Sequence, residues 1–358
     1  MEQLNIPTVK RTLTILIPAH NEEKQIEETL KSLYQQSYLP DRIVVIADNC
    51  TDDTIKRSEK FGVEIFVTVN NTKKKAGGLN QWLDIHLDEL EDNNLVMVMD
   101  ADSALDEKFL ENALKYIDKG YSACGGVFQG KSGGGIVGMF QRNEYARYAR
   151  DVDRKDGATL VLTGTATVFI SSALKSVVKG RKDGVLPCVD GESHVYDTGV
   201  LTEDNELTFA LLHLDHMIIA PSECALTTEV MPTWHDLWHQ RRRWKRGAIE
   251  NNIQYGITKV TLKYWGLQIW GFLGILATAI YLASFIYAVI IGNLNIQLIW
   301  IIVTAIYMIE RMVTVHKRGI WQTILAGTLI AEMFYDISLQ GVHLLAFIDV
   351  ARKAPKDW

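Results

Sequence analysis

Leu95-Val96-Met97-Val98-Met99-Asp100-Ala101-Asp102 decides how the chain is to be read. Five apolar residues in a row mark a buried strand. Two carboxylates, one residue apart, stand where that strand should end. In open α/β sheets ligands bind outside the carboxyl ends of the strands. A pair of hard oxygen donors there suits Mg²⁺ or Mn²⁺, and such a metal holds a diphosphate. An acidic turn ahead of a helix starting near Asp106 would have the same composition, so the flanking sequence has to decide.

Towards the N-terminus the pattern repeats. The run 12–18 (TLTILIP) reads as a buried strand, and His20-Asn21-Glu22-Glu23 opens an amphipathic helix with Ile26, Leu30 and Leu33 on one face. A second strand, 42–47 (RIVVIA), is followed by 48–54 (DNCTDDT), rich in helix-capping residues. A third strand covers 63–69. Lys73, Lys74 and Lys75 then precede Ala76-Gly77-Gly78-Leu79-Asn80 and a helix running to residue 90. Strands alternating with helices predict a parallel sheet with right-handed crossovers. Polar clusters after the first, second and fourth strands would then converge at one edge. Asp48 could accept a base N–H there, or cap a helix. Lys75 and the glycine turn could meet phosphate oxygens, or form a solvated basic turn. No G-x-G-x-x-G or G-x-x-x-x-G-K-[ST] pattern is present in this stretch, which disfavours the dinucleotide and P-loop classes.

Downstream, 122–129 reads as a fifth strand, 130–138 as a mobile glycine-rich stretch, and 140–154 as a charged helix with four arginines. The small-residue turn 163–167 precedes a strand at 168–170. Thr202-Glu203-Asp204 begins a helix that runs to residue 214. Acidic residues suit a first helical turn, and Asp204 could equally be a general base. Gln240-Arg241-Arg242-Arg243-Trp244-Lys245-Arg246-Gly247 lies in a helical stretch with Trp234, Leu237, Trp238 and Ile249. Basic residues beside tryptophans suit a helix at a membrane interface. Arg243 could also reach a leaving diphosphate, and Trp244 could stack on a sugar.

The chain has 358 residues and a net charge of −6, with no basic excess to suggest nucleic acid. Its four cysteines are far apart, which argues against a zinc site or a disulfide framework and fits a reducing compartment. Residues 1–10 are polar, so no cleavable leader is expected there. Hydropathy divides the chain into a catalytic domain (1–225), amphipathic interfacial helices (226–263) and a membrane region (264–358) with two or three spans. Residues 265–292 are 28 positions without a charge, enough to span a bilayer. Residues 296–315 return, with Glu310-Arg311 near their end. Lys259 and Lys263 on one side, and His316-Lys317-Arg318 on the other, flank this hairpin, so the positive-inside rule puts the catalytic domain in the cytoplasm. The stretch 320–350 is apolar but carries Glu332, Asp336 and Gln340 at i, i+4 spacing, and His343. Such a stripe faces protein or a cavity, and Arg311 is a candidate partner.

Taken together these residues resemble a family-2 glycosyltransferase of the membrane-integrated, processive type, related to cellulose, hyaluronan and poly-N-acetylglucosamine synthases. Five markers stand in the family's order over roughly 12–250: Pro18-Ala19-His20-Asn21-Glu22, Asp48, Asp100-Ala101-Asp102, Thr202-Glu203-Asp204, and Gln240-x-x-Arg243-Trp244. The resemblance implies an α/β fold of GT-A type, with a mostly parallel, Rossmann-like sheet, followed by interfacial helices and a small transmembrane bundle. It implies that Ala19, Glu22 and Asp48 hold a nucleotide, usually uridine. Lys75 and Asn80 would lie beside the nucleotide and diphosphate. Asp100 and Asp102 would serve the nucleotide-sugar, with Asp102 the principal Mn²⁺ or Mg²⁺ ligand. Asp204 would be the base of an inverting displacement, and Arg243 would bind the diphosphate. Glu203, Gln240 and Trp244 would bind the acceptor. The expected partners are a nucleotide-sugar donor, a glycan, lipid or protein acceptor, the lipid bilayer of the cell membrane, and a second copy of the chain. Only two or three later spans are foreseen, fewer than in polymer-exporting members, so addition of a single sugar to a lipid or protein competes with polymer synthesis. A nucleotidyltransferase on a related sheet, and a non-enzymatic membrane scaffold, are disfavoured by the complete acidic set with its Gln-x-x-Arg-Trp companion.

Overall fold

The computed structural model describes residues 11–293 and 298–356. The chain forms two packed units that interleave along the sequence. One contains residues up to Val127, Ala158–Thr198 and Ala210–Leu226. The other contains Phe128–Gly157, Gly199–Phe209 and the chain from Thr227 onward. This division is not the sequential one drawn from hydropathy, because α-helical segments from the middle of the chain pack with the apolar C-terminal third.

The first unit is built on a seven-stranded sheet. Its strands are β1 (Leu13–Ala19), β2 (Arg42–Ala47), β3 (Glu64–Val67), β4 (Leu95–Met99), β5 (Ala123–Gly125), β6 (Ala166–Ile170) and β7 (Ile218–Ile219). They lie in the order β3-β2-β1-β4-β6-β5-β7. The pairs β1–β2, β1–β4 and β2–β3 are parallel, as expected, and so is the pair of β5 with β7, a short strand not foreseen in the sequence. Strand β6 runs antiparallel to both β4 and β5, so the sheet is mixed rather than wholly parallel. A buried apolar run such as ATVFI carries no record of its direction. Helices α1 (Ile26–Tyr34), α2 (Thr54–Glu59), α3 (Lys74–His86), α4 (Phe109–Asp118) and α6 (Ser171–Lys182) belong to the same unit. Ile15, Leu16, Ile17, Val44, Val45 and Met97 are fully buried, as are Ile26, Leu30 and Leu33 of α1. Each such side chain contributes roughly 1.5–3 kcal/mol of transfer free energy.

Three local expectations are corrected. The third strand is shorter than 63–69, because it lies at the sheet edge with Val67 exposed. The helix expected to reach residue 90 ends at His86 and tightens into a 3₁₀ turn, Leu87–Glu89. The fifth strand breaks at Gly126, where the chain changes partners: Gly126 N–H donates to Ala166 O and Val127 N–H to Cys224 O, both at 2.8 Å. A Cβ at Gly126 would lie 2.2 Å from Leu226 Cδ2, so only glycine makes that step.

The second unit is helical. It holds α5 (Gly135–Asp153), the start of α7 (Glu203–His213), α8 (Trp234–Tyr255), α9 (Leu262–Ile290), α10 (Leu298–Val315), α11 (Ile320–Gly327) and α12 (Leu329–Ala351). Helix α5 takes up part of the glycine-rich stretch read as mobile. Among the described residues, α9 and α12 are long and apolar enough to cross a membrane. The turn expected around 293–295 and the start of the returning segment lie largely outside the described residues. The polar stripe of α12 faces protein. Glu332, only 1% exposed, accepts from Arg311 Nη1 at 2.6 Å, Arg147 Nη1 at 2.9 Å and Asn143 Nδ2 at 3.1 Å. Arg311 Nη2 donates to Asp336 at 2.7 Å. The partner anticipated for the stripe is therefore present, joined by α5. A carboxylate buried to this degree needs such pairing, and removing one partner typically costs about 3–5 kcal/mol.

Candidate active site

Register gathers the candidate residues of the first unit. Ala19 is level with Ala47 across β1 and β2, and Leu16 is level with Val98 across β1 and β4. Parallel strands in that register end at one edge, with Ala19, Asp48 and Asp100 all at the tips. The tips are tied together by hydrogen bonds. Asp48 N–H donates to Ala19 O at 2.9 Å, and His20 Nδ1 lies 2.6 Å from Asp48 O. Asp48 is 6% exposed; its Oδ1 accepts from Thr68 Oγ1 at 2.8 Å and Asn49 Nδ2 at 3.0 Å. Glu22 is held through its backbone, whose N–H donates to Thr54 Oγ1 at 2.7 Å. Asn21 and Asn49 have φ of 58° and 51°, the left-handed region that Asn tolerates best among non-glycine residues.

Asp100 and Asp102 flank buried Ala101, and both are half-buried. Asp100 N–H donates to Thr165 O at 3.1 Å, and Lys75 Nζ bridges Asp100 Oδ1 and Gly164 O. Asp102 Oδ1 accepts from Ser103 Oγ at 3.2 Å. Two carboxylates from one turn are the hard donor set that fits Mg²⁺ or Mn²⁺. Helix α3 delivers Lys75 because Gly77 and Gly78 allow it close to the β2 and β3 tips. A Cβ at Gly77 would lie 2.2 Å from Asn71 Oδ1. Asn80, placed by the resemblance beside the nucleotide and diphosphate, bonds here to the backbone of another segment. It is 3% exposed, and its amide closes a ring with one residue's backbone: Nδ2 donates to Tyr196 O at 2.7 Å, and Tyr196 N–H donates to Oδ1 at 3.0 Å. It therefore secures the 195–197 stretch to α3.

The second unit gathers the other expected residues. Gly247 of α8 faces Thr202, and Asn251 Nδ2 donates to both Thr202 O and Thr202 Oγ1 at 3.2 Å. One turn further on, Tyr255 OH donates to buried Glu206 Oε1 at 2.6 Å. Helix α8 is thus bonded to Thr202, just ahead of α7, and to Glu206 in the first turn of α7. Asp204 Oδ1 accepts from Asn205 N–H at 2.8 Å, and Glu203 and Asp204 are half-buried. A cleft of about 190 Å³ in this unit is lined by Leu201, His239, Arg242, Arg243, Arg246 and Asp349. Arg242 makes a bidentate pair with Asp349 of α12 at 2.5 and 2.6 Å, and Arg246 pairs with Glu250 at 2.7 Å. Gln240 Oε1 lies 3.4 Å from Arg241 Nη1, and Trp244 is half-buried.

Residues 14–178, the segment that carries Ala19, Glu22, Asp48, Lys75, Asn80, Asp100 and Asp102, match the model described as glycosyl transferase family 2. That segment, 165 of the chain's 358 residues, is similar to family-2 glycosyltransferases. Over 252 residues it is 29% identical to the poly-beta-1,6-N-acetyl-D-glucosamine synthase of Staphylococcus aureus (strain COL), covering 66% of this chain and 55% of that protein. The synthase of the same name from Staphylococcus epidermidis is 26% identical over 251 residues. The chain spans about half the length of these curated relatives. A solved mannosyltransferase, PcManGT from Pyrobaculum calidifontis in complex with GDP-Man and Mn²⁺, superimposes with a TM-score of 0.64 at 16% identity, covering 98% of this chain and 89% of that one. That likeness is one of fold, and it agrees with the expected GT-A arrangement.

Several residues that hold these groups have no sequence signal of their own. Asn251, Glu144 and Tyr196 are distant in sequence from the groups they hold. Gly247 did leave a trace, since a glycine inside a helical pattern usually has a packing reason. Cys188, Asp190 and Asp197 also bring ligand-type atoms within 4.8 Å of one another. Their bonds close a loop: Asp190 Oδ2 accepts from Thr198 N–H and Oγ1, and Asp197 Oδ2 from Val189 N–H. Burial and the neighbouring Asp190 push the Cys188 thiol up to about 11.

Proposed function

We propose that the chain is an inverting glycosyltransferase that moves a sugar from a nucleoside-diphosphate sugar, UDP-linked, to a hydroxyl of a glycan at a membrane surface. Polysaccharide synthesis is the favoured outcome, in keeping with the name of the Staphylococcus relatives. The observation that carries this reading is the packing of α8 on α7. It keeps the Thr202-Glu203-Asp204 turn next to the helix that bears Gln240, Arg243 and Trp244.

In this mechanism Ala19, Glu22 and Asp48 bind the nucleotide at the strand tips. Lys75 orients Asp100 beside the diphosphate. Asp102, with Asp100, would hold a divalent Mn²⁺ or Mg²⁺ ion, which supplies neutralisation of the diphosphate charge. Asp204 takes the proton from the acceptor hydroxyl as its oxygen bonds to the anomeric carbon. The bond between that carbon and the diphosphate oxygen breaks on the opposite face, with inversion. Arg243 offsets the charge developing on the departing nucleoside diphosphate. Glu203, Gln240 and Trp244 hold the acceptor end. Helices α9 and α12 would embed the second unit in the bilayer, with the catalytic residues on the cytoplasmic side.

A panel of UDP- and GDP-linked sugars tests the reading, with UDP-N-acetylglucosamine first. Purified full chain is expected to release nucleoside diphosphate from one of them and to build a labelled product longer than one added residue. Release of pyrophosphate would instead indicate a nucleotidyltransferase. A product that stops at one added sugar would overturn polymer synthesis while leaving transfer intact.

A further inference from the structure

Arg241 sits inside the Gln240–Trp244 segment but is given no role by the reaction above. It is 3% exposed. Its Nη2 donates to Glu144 of α5 at 2.9 Å, and the same Glu144 oxygen accepts from the hydroxyl of Tyr335 on α12. The guanidinium carbon lies 4.3 Å from the ring centroid of Trp244 and 5.7 Å from that of Tyr145. Tyr335 is fully buried and stacks on Phe140 at 5.0 Å, within a cluster that includes Val137, Leu237 and Leu325. Burial alone would weaken the charge on Arg241. The Glu144 carboxylate beside it offsets this and raises its pKa.

We infer that Arg241 is a positioning residue: its guanidinium, fixed by Glu144 and Tyr335, clamps the indole of Trp244 in one orientation. A guanidinium is a planar fork that can bond a carboxylate with its edge while its face lies on an aromatic ring. An ammonium keeps the charge but loses both the fork and the stack. Because Glu144 and Tyr335 belong to α5 and α12, the ring of Trp244 is set by helices beyond its own. With Trp244 as the acceptor platform, which rests on the proposed function, this clamp determines how tightly the acceptor end is held.

Two measurements on the full chain in detergent test the clamp. The first isolates Trp244 fluorescence by subtracting a Trp244→Phe background. In Arg241→Lys that component should become at least about twofold more quenchable by iodide and lose anisotropy, because the ring is released. The second uses the donor that turns over in the wild type. Arg241→Lys should raise the acceptor KM roughly 5- to 30-fold while leaving the donor KM unchanged. Glu144→Gln and Tyr335→Phe should move it the same way by less. Unchanged quenching in Arg241→Lys, or equal rises in donor and acceptor KM, would overturn the clamp. A wild type that turns over no nucleotide-sugar would defeat the functional reading instead, and the quenching result would still decide the clamp.

Discussion

Replacing Gly247 by alanine adds one methyl group to α8 opposite Thr202. The new Cβ would lie 2.4 Å from Thr202 Oγ1, 2.6 Å from Cγ2 and 3.0 Å from Cβ. Non-bonded atoms of this kind prefer about 3.5–4.0 Å, so the start of α7 must retreat by about 1 Å. Thr202 is 7% exposed, so there is no room for its side chain to rotate away. The two bonds from Asn251 already stand at 3.2 Å and would be lost. Each is worth about 0.5–1.5 kcal/mol net, and overpacking adds about 1–3 kcal/mol. Helix propensity returns about 1 kcal/mol on going from Gly to Ala. These contributions overlap, and a net loss of about 1–3 kcal/mol is expected. A shift of about 1 Å in a reacting group can cost about a hundredfold in rate, so transfer should fall more than stability. Gly274→Ala in α9 is the control, since a Cβ there meets nothing within 4 Å. The assay pairs a thermal melt in detergent with single-turnover transfer for both variants. If Gly247→Ala melted and turned over like Gly274→Ala, the coupling of α8 to the acidic turn of α7 would be refuted.

Other outcomes follow from the same geometry. Asp204→Asn should lower transfer by at least about a hundredfold with nucleotide affinity intact by calorimetry; an equal loss of binding would remove its role as base. Exhaustive EDTA treatment should stop transfer and Mn²⁺ or Mg²⁺ should restore it, whereas full activity after chelation would refute a metal role for Asp100 and Asp102. Cys188, whose thiol is raised to about 11 by burial and by Asp190, should alkylate about a hundredfold more slowly at pH 8 than a free thiol. Its rate should climb only as the pH rises towards 11, and mass-spectrometric mapping of an early plateau would contradict this.

Parallel buried strands are continuous apolar runs, which is why 13–19, 42–47 and 95–99 stood out in the sequence at almost their true limits. The strand-tip residues followed, because direction and register put Ala19, Asp48 and Asp100 at one edge. The direction of β6 was not legible, since period and composition are the same for a strand run either way. Arg311 could be named as partner for Glu332 and Asp336 because a charged stripe in an apolar helix demands one. Arg147 could not, because α5 is some 180 residues away in sequence and its arginines fit a solvated helix equally well. The Asn80–Tyr196 ring and the Gly247–Thr202 contact are pairings at long separation that no local pattern encodes. The motifs themselves are visible in the sequence, and the residues that fix their positions emerge only from the packing.

The interleaving of the two units has a consequence for how the molecule is made. A ribosome delivers Thr202-Glu203-Asp204 long before it delivers Gly247, Asn251 and Tyr255. Until those residues emerge, the acidic turn has nothing to pack against on α8, and α5 still lacks α12. The nascent chain can therefore complete its strand tips first, but the Thr202-Glu203-Asp204 turn gains its contacts to α8 only after α8 has been synthesised. A chain truncated before α8 would keep its strand tips but lack these contacts to Thr202 and Glu206.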